Sequence, residues 1–310
     1  MQDISKNRLW GIDLGGTKIE GVILKSAGDP EVLFRDRVPT EADQGYEHIL
    51  QQVKKLVVIM CRFAQDSPAR IGVGTPGVHD PRLGTMKNCN TVAMNGKPMK
   101  RDLEKLLGLP LEMANDADCF ALAEAQRGVV REKFPEARVV FGVILGTGVG
   151  GGIVIDGRAI IGLHGIAGEW GHNFLHASGG PCYCGKTGCV ETVISGPALE
   201  RYYFNETGNK KSLKEIVALS ESRADPTAQR TVSRLVEYFG LSLSVIINIL
   251  DPDVIVLGGG VGNIEMLYDR GIDSVKKYIF NHDLETPIVK PSLGDSAGVF
   301  GAAYLVNTTY

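Results

Sequence analysis

The sequence has no large surplus of charge of either sign: 33 Lys and Arg stand against 36 Asp and Glu, a net charge of −3 over 310 residues. With a pI near 6.1, it lacks the basic footprint that a nucleic acid or an anionic membrane requires. Apolar runs of membrane length are also missing, the longest being of strand length and interrupted by glycine, so no transmembrane span is expected. Met1 to Lys6 contains no apolar signal region. The expectation is a cytoplasmic protein with no membrane and no nucleic-acid partner. Cysteine is scarce at six residues, and a reducing cytosol argues against disulfides.

Glycine, by contrast, is abundant at 39 residues. Two stretches concentrate it between apolar runs, Leu9 to Leu24 and Phe141 to Ile155. Each reads as strand, glycine-threonine turn, strand. Gly15, Gly16 and Thr17 form the first turn, and Gly146, Thr147 and Gly148 the second. Turns without side chains present their amides to an anion, and a threonine adds a hydroxyl donor, so both are candidate phosphate cradles. A glycine hairpin serving geometry alone is the alternative. The repetition suggests a duplicated domain, and 310 residues are enough for two domains, each with its own core.

The first hairpin also carries Asp13 inside its leading strand and Lys18 after its turn. Strand interiors disfavour aspartate, so Asp13 needs a partner. Mg²⁺ with its water shell is the natural one beside phosphates, and capping of the turn amides is the other possibility. A third strand-then-glycine stretch, Asp251 to Gly262, has no threonine. Gly258, Gly259 and Gly260 would let backbone lie flat against a planar ligand such as adenine.

Three cysteines cluster at Cys182, Cys184 and Cys189, with Gly185 and Gly188 between them to allow a tight turn. Three thiolates and an imidazole make a tetrahedral zinc site. His172 is the expected fourth ligand and His176 its rival.

Between these motifs, Glu31 to Pro39 reads as an edge strand. Thr40 opens a helix whose buried face runs from Tyr46 to Phe63. Leu111 to Ala114 is a strand leading directly into an alanine-rich helix, with Asp116 at the junction. Asp116 there is either a helix cap, a role open also to Asn115 and Asp118, or a general base facing the phosphate cradle. Pro226 to Leu250 and Asn263 to Phe280 read as helices, and Gly298 to Val306 as a closing helix.

Taken together, these motifs resemble the ROK family of sugar kinases and regulators, within the hexokinase, actin and heat-shock ATPase superfamily. Gly11 to Lys18 resembles its first phosphate motif, Leu145 to Gly152 its second and Val256 to Gly262 its adenosine motif. Glu169-Trp-Gly-His172 and Cys182 to Glu191 resemble the ROK signature. The resemblance implies an α/β fold of two actin-like (ribonuclease H-like) ATPase domains with a cleft between them and a small structural zinc site. The small domain is expected over 1–117 with 293–310, and the large one over 118–292. It further implies that Asp116 is the catalytic base. Asn90, Asn115, Glu169, His172 and Glu191 would be hexose contacts, with one His172 nitrogen on zinc and the other on a sugar hydroxyl. Asp13, Gly15, Gly16, Thr17, Lys18, Gly146, Thr147, Gly148, Gly258, Gly259 and Gly260 would serve MgATP, Asp13 through metal-bound water. The expected reaction is phosphorylation of fructose to fructose 6-phosphate, with mannose or glucose as further substrates, by a homodimer. N-acetylglucosamine kinase or glucokinase is the alternative. A regulator lacking its DNA-binding segment is a remoter one, because only a few residues precede the first motif.

Overall fold

Runs of Ile, Val and Leu bounded by glycine turns become strands, and the amphipathic stretches between them become helices. The computed structural model describes residues 7–307, so the Met1 to Lys6 stretch lies outside the described residues. In chain order the elements are β1 (Leu9–Leu14), β2 (Lys18–Leu24), β3 (Val32–Pro39), α1 (Tyr46–Ala64), β4 (Ile71–Thr75), β5 (Val78–Asp80), β6 (Thr85–Lys87), α2 (Met99–Leu107), β7 (Leu111–Asn115), α3 (Asp116–Gln126) and α4 (Val129–Lys133). There follow β8 (Val139–Leu145), β9 (Val149–Ile155), β10 (Arg158–Ala159), α5 (Val190–Ile194), α6 (Gly196–Thr207), α7 (Leu213–Glu221), α8 (Pro226–Leu250), β11 (Val254–Gly258), α9 (Arg270–Lys276), β12 (Ile288–Val289) and α10 (Ala297–Leu305). The chain forms two compact units, one of residues 1–135, 152–167 and 292–310, the other of 136–151 and 168–291.

The first unit is built on a five-stranded sheet of order β3-β2-β1-β4-β7, with β3 at its edge as the sequence predicts. β1 and β2 pair antiparallel, whereas β4 runs parallel to both β1 and β7. Register places Asp13 opposite Gly74, and Gly74 opposite Ala114. Asp13 and the Asn115-Asp116 junction therefore sit at the same carboxyl end of two parallel strands, β1 and β7, that flank β4, where open α/β sheets meet their ligands. α1 buries Ile49, Val53, Leu56 and Met60 in the core of this unit. Phe63, expected on that face, is instead 56% exposed and rests against Phe34, with ring centroids 5.0 Å apart. The helix also starts at Tyr46, not at Thr40; a short 3-10 turn at Ala42–Gln44 precedes it.

α10 has no polar face and lies buried in this unit. It can approach the sheet and α3 closely because the contact points lack side chains. A Cβ on Gly72 would fall 1.8 Å from Ala302 O, and one on Gly301 would fall 1.8 Å from Cys119 O. Neither could be accommodated without moving backbone.

The second sheet has the order β10-β9-β8-β11-β12. β8 and β11 run parallel, from Val254 opposite Val140 to Gly258 opposite Ile144. In the second unit α8 packs against α5, α6, α7 and α9. By length and composition α8 could cross a bilayer, contrary to the reading of the sequence, but half of its most apolar window is buried against protein. Its start is fixed by Asp225, whose Oδ1 accepts from the Thr227 and Ala228 amides, with Pro226 in the first turn. The helix expected from Asn263 to Phe280 is only a 3-10 turn at Glu265–Tyr268 followed by the short α9. The backbone of Asp269 (φ −124°, ψ −85°) leaves helical geometry between them.

Candidate active site

The first glycine turn is held closed by its own backbone. Gly15 N–H donates to Lys18 O (2.9 Å), Thr40 Oγ1 donates to Gly15 O (2.7 Å), and the Thr40 amide donates to Thr17 O (3.0 Å). Gly16, Thr17 and Lys18 are exposed. Lys18 Nζ lies 3.5 Å from buried Glu20, which Arg35 Nε also reaches at 2.5 Å. The turn amides are not capped by Asp13, since among the described residues none donates to it. Asp13 is instead crowded by protein: a Cβ on Gly298, in the first turn of α10, would come within 2.8 Å of its Oδ2. Burial, and then the neighbouring Asp116 and Glu20 carboxylates, push the Asp13 carboxyl up to about 6 against the pull of Lys18.

Asp116 and Asn115 divide the junction between them. Asn115 is the cap of α3: its side-chain oxygen accepts from the Asp118 amide at 2.7 Å. Asp116 is the first helical residue, accepting from the Ala117 amide at 2.9 Å through Oδ1. The capping role thus falls to its neighbour. Asp116 keeps solvent access, yet protein crowds it densely enough for desolvation to raise its pKa. Asp116 is thus a solvent-accessible carboxyl at a strand-to-helix junction, a position open to a general base. Asn90 is exposed, its amide donating to Pro76 O at 3.2 Å.

In the second unit, the Gly146-Thr147-Gly148 turn closes through Gly146 N–H to Gly148 O at 2.9 Å. Its neighbours are backbone. Gly196 N–H donates to Gly146 O (2.8 Å), and the amides of Val261 and Gly262 donate to Leu145 O (2.9 and 3.2 Å). Gly259 has φ +86°, and a Cβ there would fall 2.4 Å from Leu145 O; only glycine fits this close approach. These turns face a cavity of about 770 Å³, lined by Gly146, Thr147, Gly196, Gly260 and, on its far wall, by Lys214 and Val217 of α7. The volume suits a nucleotide-sized ligand. The first turn of α6 also lines it, which favours negative charge there. The sequence reading located the glycines of this cavity and missed the α7 wall, because amphipathic helices carry no ligand signature of their own. A recess of about 900 Å³ lies at the other end of the β1–β2 hairpin, beside Arg8, Asp66 and Arg70, and contains none of the motif residues.

The Cys/His cluster assembles as expected. One ligand atom from each of His172, Cys182, Cys184 and Cys189 lies within 4.8 Å of the others. Cys184 Sγ is 3.6 Å from Cys189 Sγ, and Cys182 Sγ is 3.6 Å from His172 Nδ1. A tetrahedron with metal–sulfur bonds of about 2.3 Å has edges of roughly 3.7 Å, so the donor set fits zinc. Gly185 (φ +85°) and Gly188 (φ +76°) make the turn around it. His176 is engaged elsewhere, its Nδ1 2.7 Å from Ser178 Oγ.

With His172 Nδ1 turned to the sulfurs, Nε2 points away from them. It lies 2.9 Å from the Tyr183 hydroxyl and 3.9 Å from Glu169 Oε2. Tyr183 did not appear among the residues the sequence singled out, although it sits between two of the cysteines. Glu191 Oε2 accepts from the Val149 amide at 3.0 Å, tying the first turn of α5, just after Cys189, to the start of β9.

Comparison with known proteins matches the chain over nearly its whole length. The ROK family model matches residues 9–309. The N-acetyl-D-glucosamine kinase of Vibrio vulnificus (strain YJ016) is 35% identical over 309 residues, 96% of this chain and 98% of that one. That of Vibrio cholerae is 35% identical with the same coverage. Among solved structures, the ROK hexokinase from Thermus thermophilus matches with a TM-score of 0.86 at 32% identity, covering 96% of this chain and 97% of that one. A ROK glucokinase from Streptomyces griseus, solved with glucose and AMPPNP, matches at 0.72 and 27%, covering 96% and 99%. Motifs, fold and full-length similarity converge, and the chain belongs to the ROK family.

Proposed function

We propose that this chain is a sugar kinase that transfers the γ-phosphoryl group of ATP to a hexose hydroxyl, with N-acetylglucosamine ahead of fructose as substrate. The observation that carries the reading is the pair of carboxylates at the carboxyl end of one sheet, crowded Asp13 and solvent-accessible Asp116, close enough for the charge of Asp116 to act on Asp13. In this reading Asp116 takes the proton of the attacking hydroxyl, its raised pKa making it a better base than a free carboxylate. Asp13 would hold Mg²⁺ through water, where the ion would supply charge neutralisation for the transferred group. The first and second glycine turns hold phosphates, and the cavity bounded by Gly260 and α7 takes the nucleoside.

Asn90, Asn115, Glu169, His172 and Glu191 contact the hexose. Asn115 and Glu191 already give one oxygen each to a backbone amide, so they would be positioned rigidly. Zinc on His172, Cys182, Cys184 and Cys189 is structural; when bound it fixes the His172 ring and its tautomer. The same reading includes two actin-like domains, 1–117 with 293–310 and 118–292, and a homodimer.

Fructose is the substrate expected from the sequence, but full-length similarity to proteins named N-acetyl-D-glucosamine kinase supports the acetamido sugar better. Sugars that differ in one substituent are sorted by pocket shape, which short motifs do not report. The test is ADP release from MgATP with fructose, mannose, glucose and N-acetylglucosamine in turn. The expected result is turnover only with sugar, with the highest kcat/KM on N-acetylglucosamine. Turnover unaffected by any of the four would overturn the kinase reading, and a fructose optimum would restore the fructokinase one.

A further inference from the structure

The Tyr183 phenol is placed oddly for a structural residue. Its hydroxyl is 2.9 Å from His172 Nε2, and its ring meets the imidazole edge-on, with centroids 5.0 Å apart at 88°. The residue is nonetheless 71% exposed. Compare Tyr203, whose hydroxyl bonds to Asp225 at 2.6 Å while the residue is 2% exposed; that tyrosine is locked by packing. Tyr183 has no such packing, and His172 is the one hydrogen-bond partner its hydroxyl has among the described residues.

The chemistry of the position is equally particular. With Nδ1 facing three sulfurs, the neutral His172 ring carries its proton on Nε2 and donates outward. Around it stands the Glu169 carboxylate, 3.9 Å away. A neutral hydroxyl, able to accept from the imidazole and donate to a carboxylate, is what this corner selects, and both a phenol and a sugar hydroxyl fit that description.

We propose that the Tyr183 hydroxyl occupies the position of a substrate hydroxyl at His172 Nε2, so that the hexose must displace it and Tyr183 thereby sets hexose affinity. The inference rests on the hexose-kinase reading. Two side-chain torsions release the phenol into solvent, and little packing is lost because little exists. The hydrogen bond given up is the energetic toll on binding.

The experiment compares Tyr183→Phe with the parent protein, using whichever of the four sugars the parent turns over best. Removing the hydroxyl should lower the sugar KM about fivefold, the equivalent of one neutral hydrogen bond, with the change in KM and not in kcat. Calorimetric titration with sugar alone should tighten by the same factor, and zinc content should stay at the parent value. Sugar should also produce a tyrosine ultraviolet difference spectrum in the parent that is absent from Tyr183→Phe. A raised or unchanged KM, or a difference spectrum that survives in the variant, overturns the proposal while leaving the kinase reading intact. A parent protein with no sugar-dependent ADP release removes both together.

Discussion

The β1–β2 and β8–β9 turns share a plan and differ in what surrounds them. Each is strand, glycine-threonine turn, strand, closed by one short backbone hydrogen bond. Around the first stand charges: Asp13, Lys18, Glu20 and, one strand end away, Asp116. Around the second stand backbone and a cavity whose charged lining, Glu200, Lys214, Glu221 and Glu265, comes from elsewhere in the unit; the carboxylate at the turn itself, Glu191, is engaged with the Val149 amide. On the proposed reading, one turn design therefore serves two uses. Where carboxylates are desolvated, the surroundings can hold a metal and move a proton. Where carbonyls and glycines press close, they can only bind and position. If this contrast is right, variants at the first turn should change chemistry and those at the second should change nucleotide affinity.

The largest effect belongs to Asp116. Asp116→Asn should lower kcat by at least about 10²-fold, with sugar affinity within a few-fold of the parent. Helix stability should not suffer, because the cap of α3 is Asn115. Steady-state kinetics with melting temperatures alongside would check this. A folded variant with full activity would leave the first turn no more chemical than the second.

Asp13 comes next, with a sign that can be worked out. Its folded pKa of about 6 lies above the unfolded value near 3.8. A raised carboxyl favours the folded state only where it is protonated, so its contribution is lost as pH climbs from about 4 through 6. Asp13→Asn should therefore make the ligand-free protein more stable at pH 7.5, by about 2 kcal/mol given two units at 1.36 kcal/mol each and some solvent screening. The gain should shrink toward zero as pH falls to 4. Activity should move the opposite way, with turnover of MgATP collapsing. In the parent, kcat/KM should rise with pH through about 6 as the carboxylate ionises. Urea unfolding at the two pH values would decide it. A variant destabilised at pH 7.5 would mean that the carboxylate is held by bonds rather than strained by burial.

Zinc offers a third handle, acting through residues that touch no phosphate. Cys184→Ser should loosen α5, which begins just after Cys189 and bears Glu191, and free His172 to rotate, raising sugar KM at least about tenfold through two lost hydrogen bonds. Nucleotide affinity should change much less, since the cavity beside α7 draws on none of the cysteines. Circular dichroism and metal content must show a folded, zinc-free protein. Unaltered sugar binding in such a protein would reduce the cluster to a remote staple.

How much of this was legible in the sequence follows a physical division. The glycine turns, the cysteine spacing and the Asp116 junction were readable because each is a local pattern: a backbone need, a ligand geometry, a strand passing straight into a helix. What remained hidden depended on contacts. Nothing in Asn115-Asp116 says which of two good cap formers will cap. Nothing in Cys-Tyr-Cys says that the intervening phenol will fold back onto His172 Nε2. Phe63 continues the apolar period of α1, yet that face has turned out of the core by the last turn. The break at Asp269 has no glycine or proline at the position to announce it.

The smallest effect tests the cavity beside the second turn, at two glycines of the third glycine run, Gly259 and Gly260, that the sequence cannot tell apart. Gly259 is required by geometry: its φ of +86° and the 2.4 Å approach of a Cβ to Leu145 O leave no room for a side chain. Gly259→Ala should cost a few kcal/mol of stability. Gly260 stands in ordinary backbone geometry, nothing lies within 4 Å of a Cβ built on it, and it lines the cavity. Gly260→Ala should fold like the parent and raise ATP KM about threefold by pushing one methyl group into the space a flat ligand needs, with sugar KM unaltered. Nucleotide titrations on both variants separate the outcomes. If Gly260→Ala binds ATP as the parent does while Gly259→Ala merely unfolds, the third glycine run is architecture, and the nucleotide lies against some other wall.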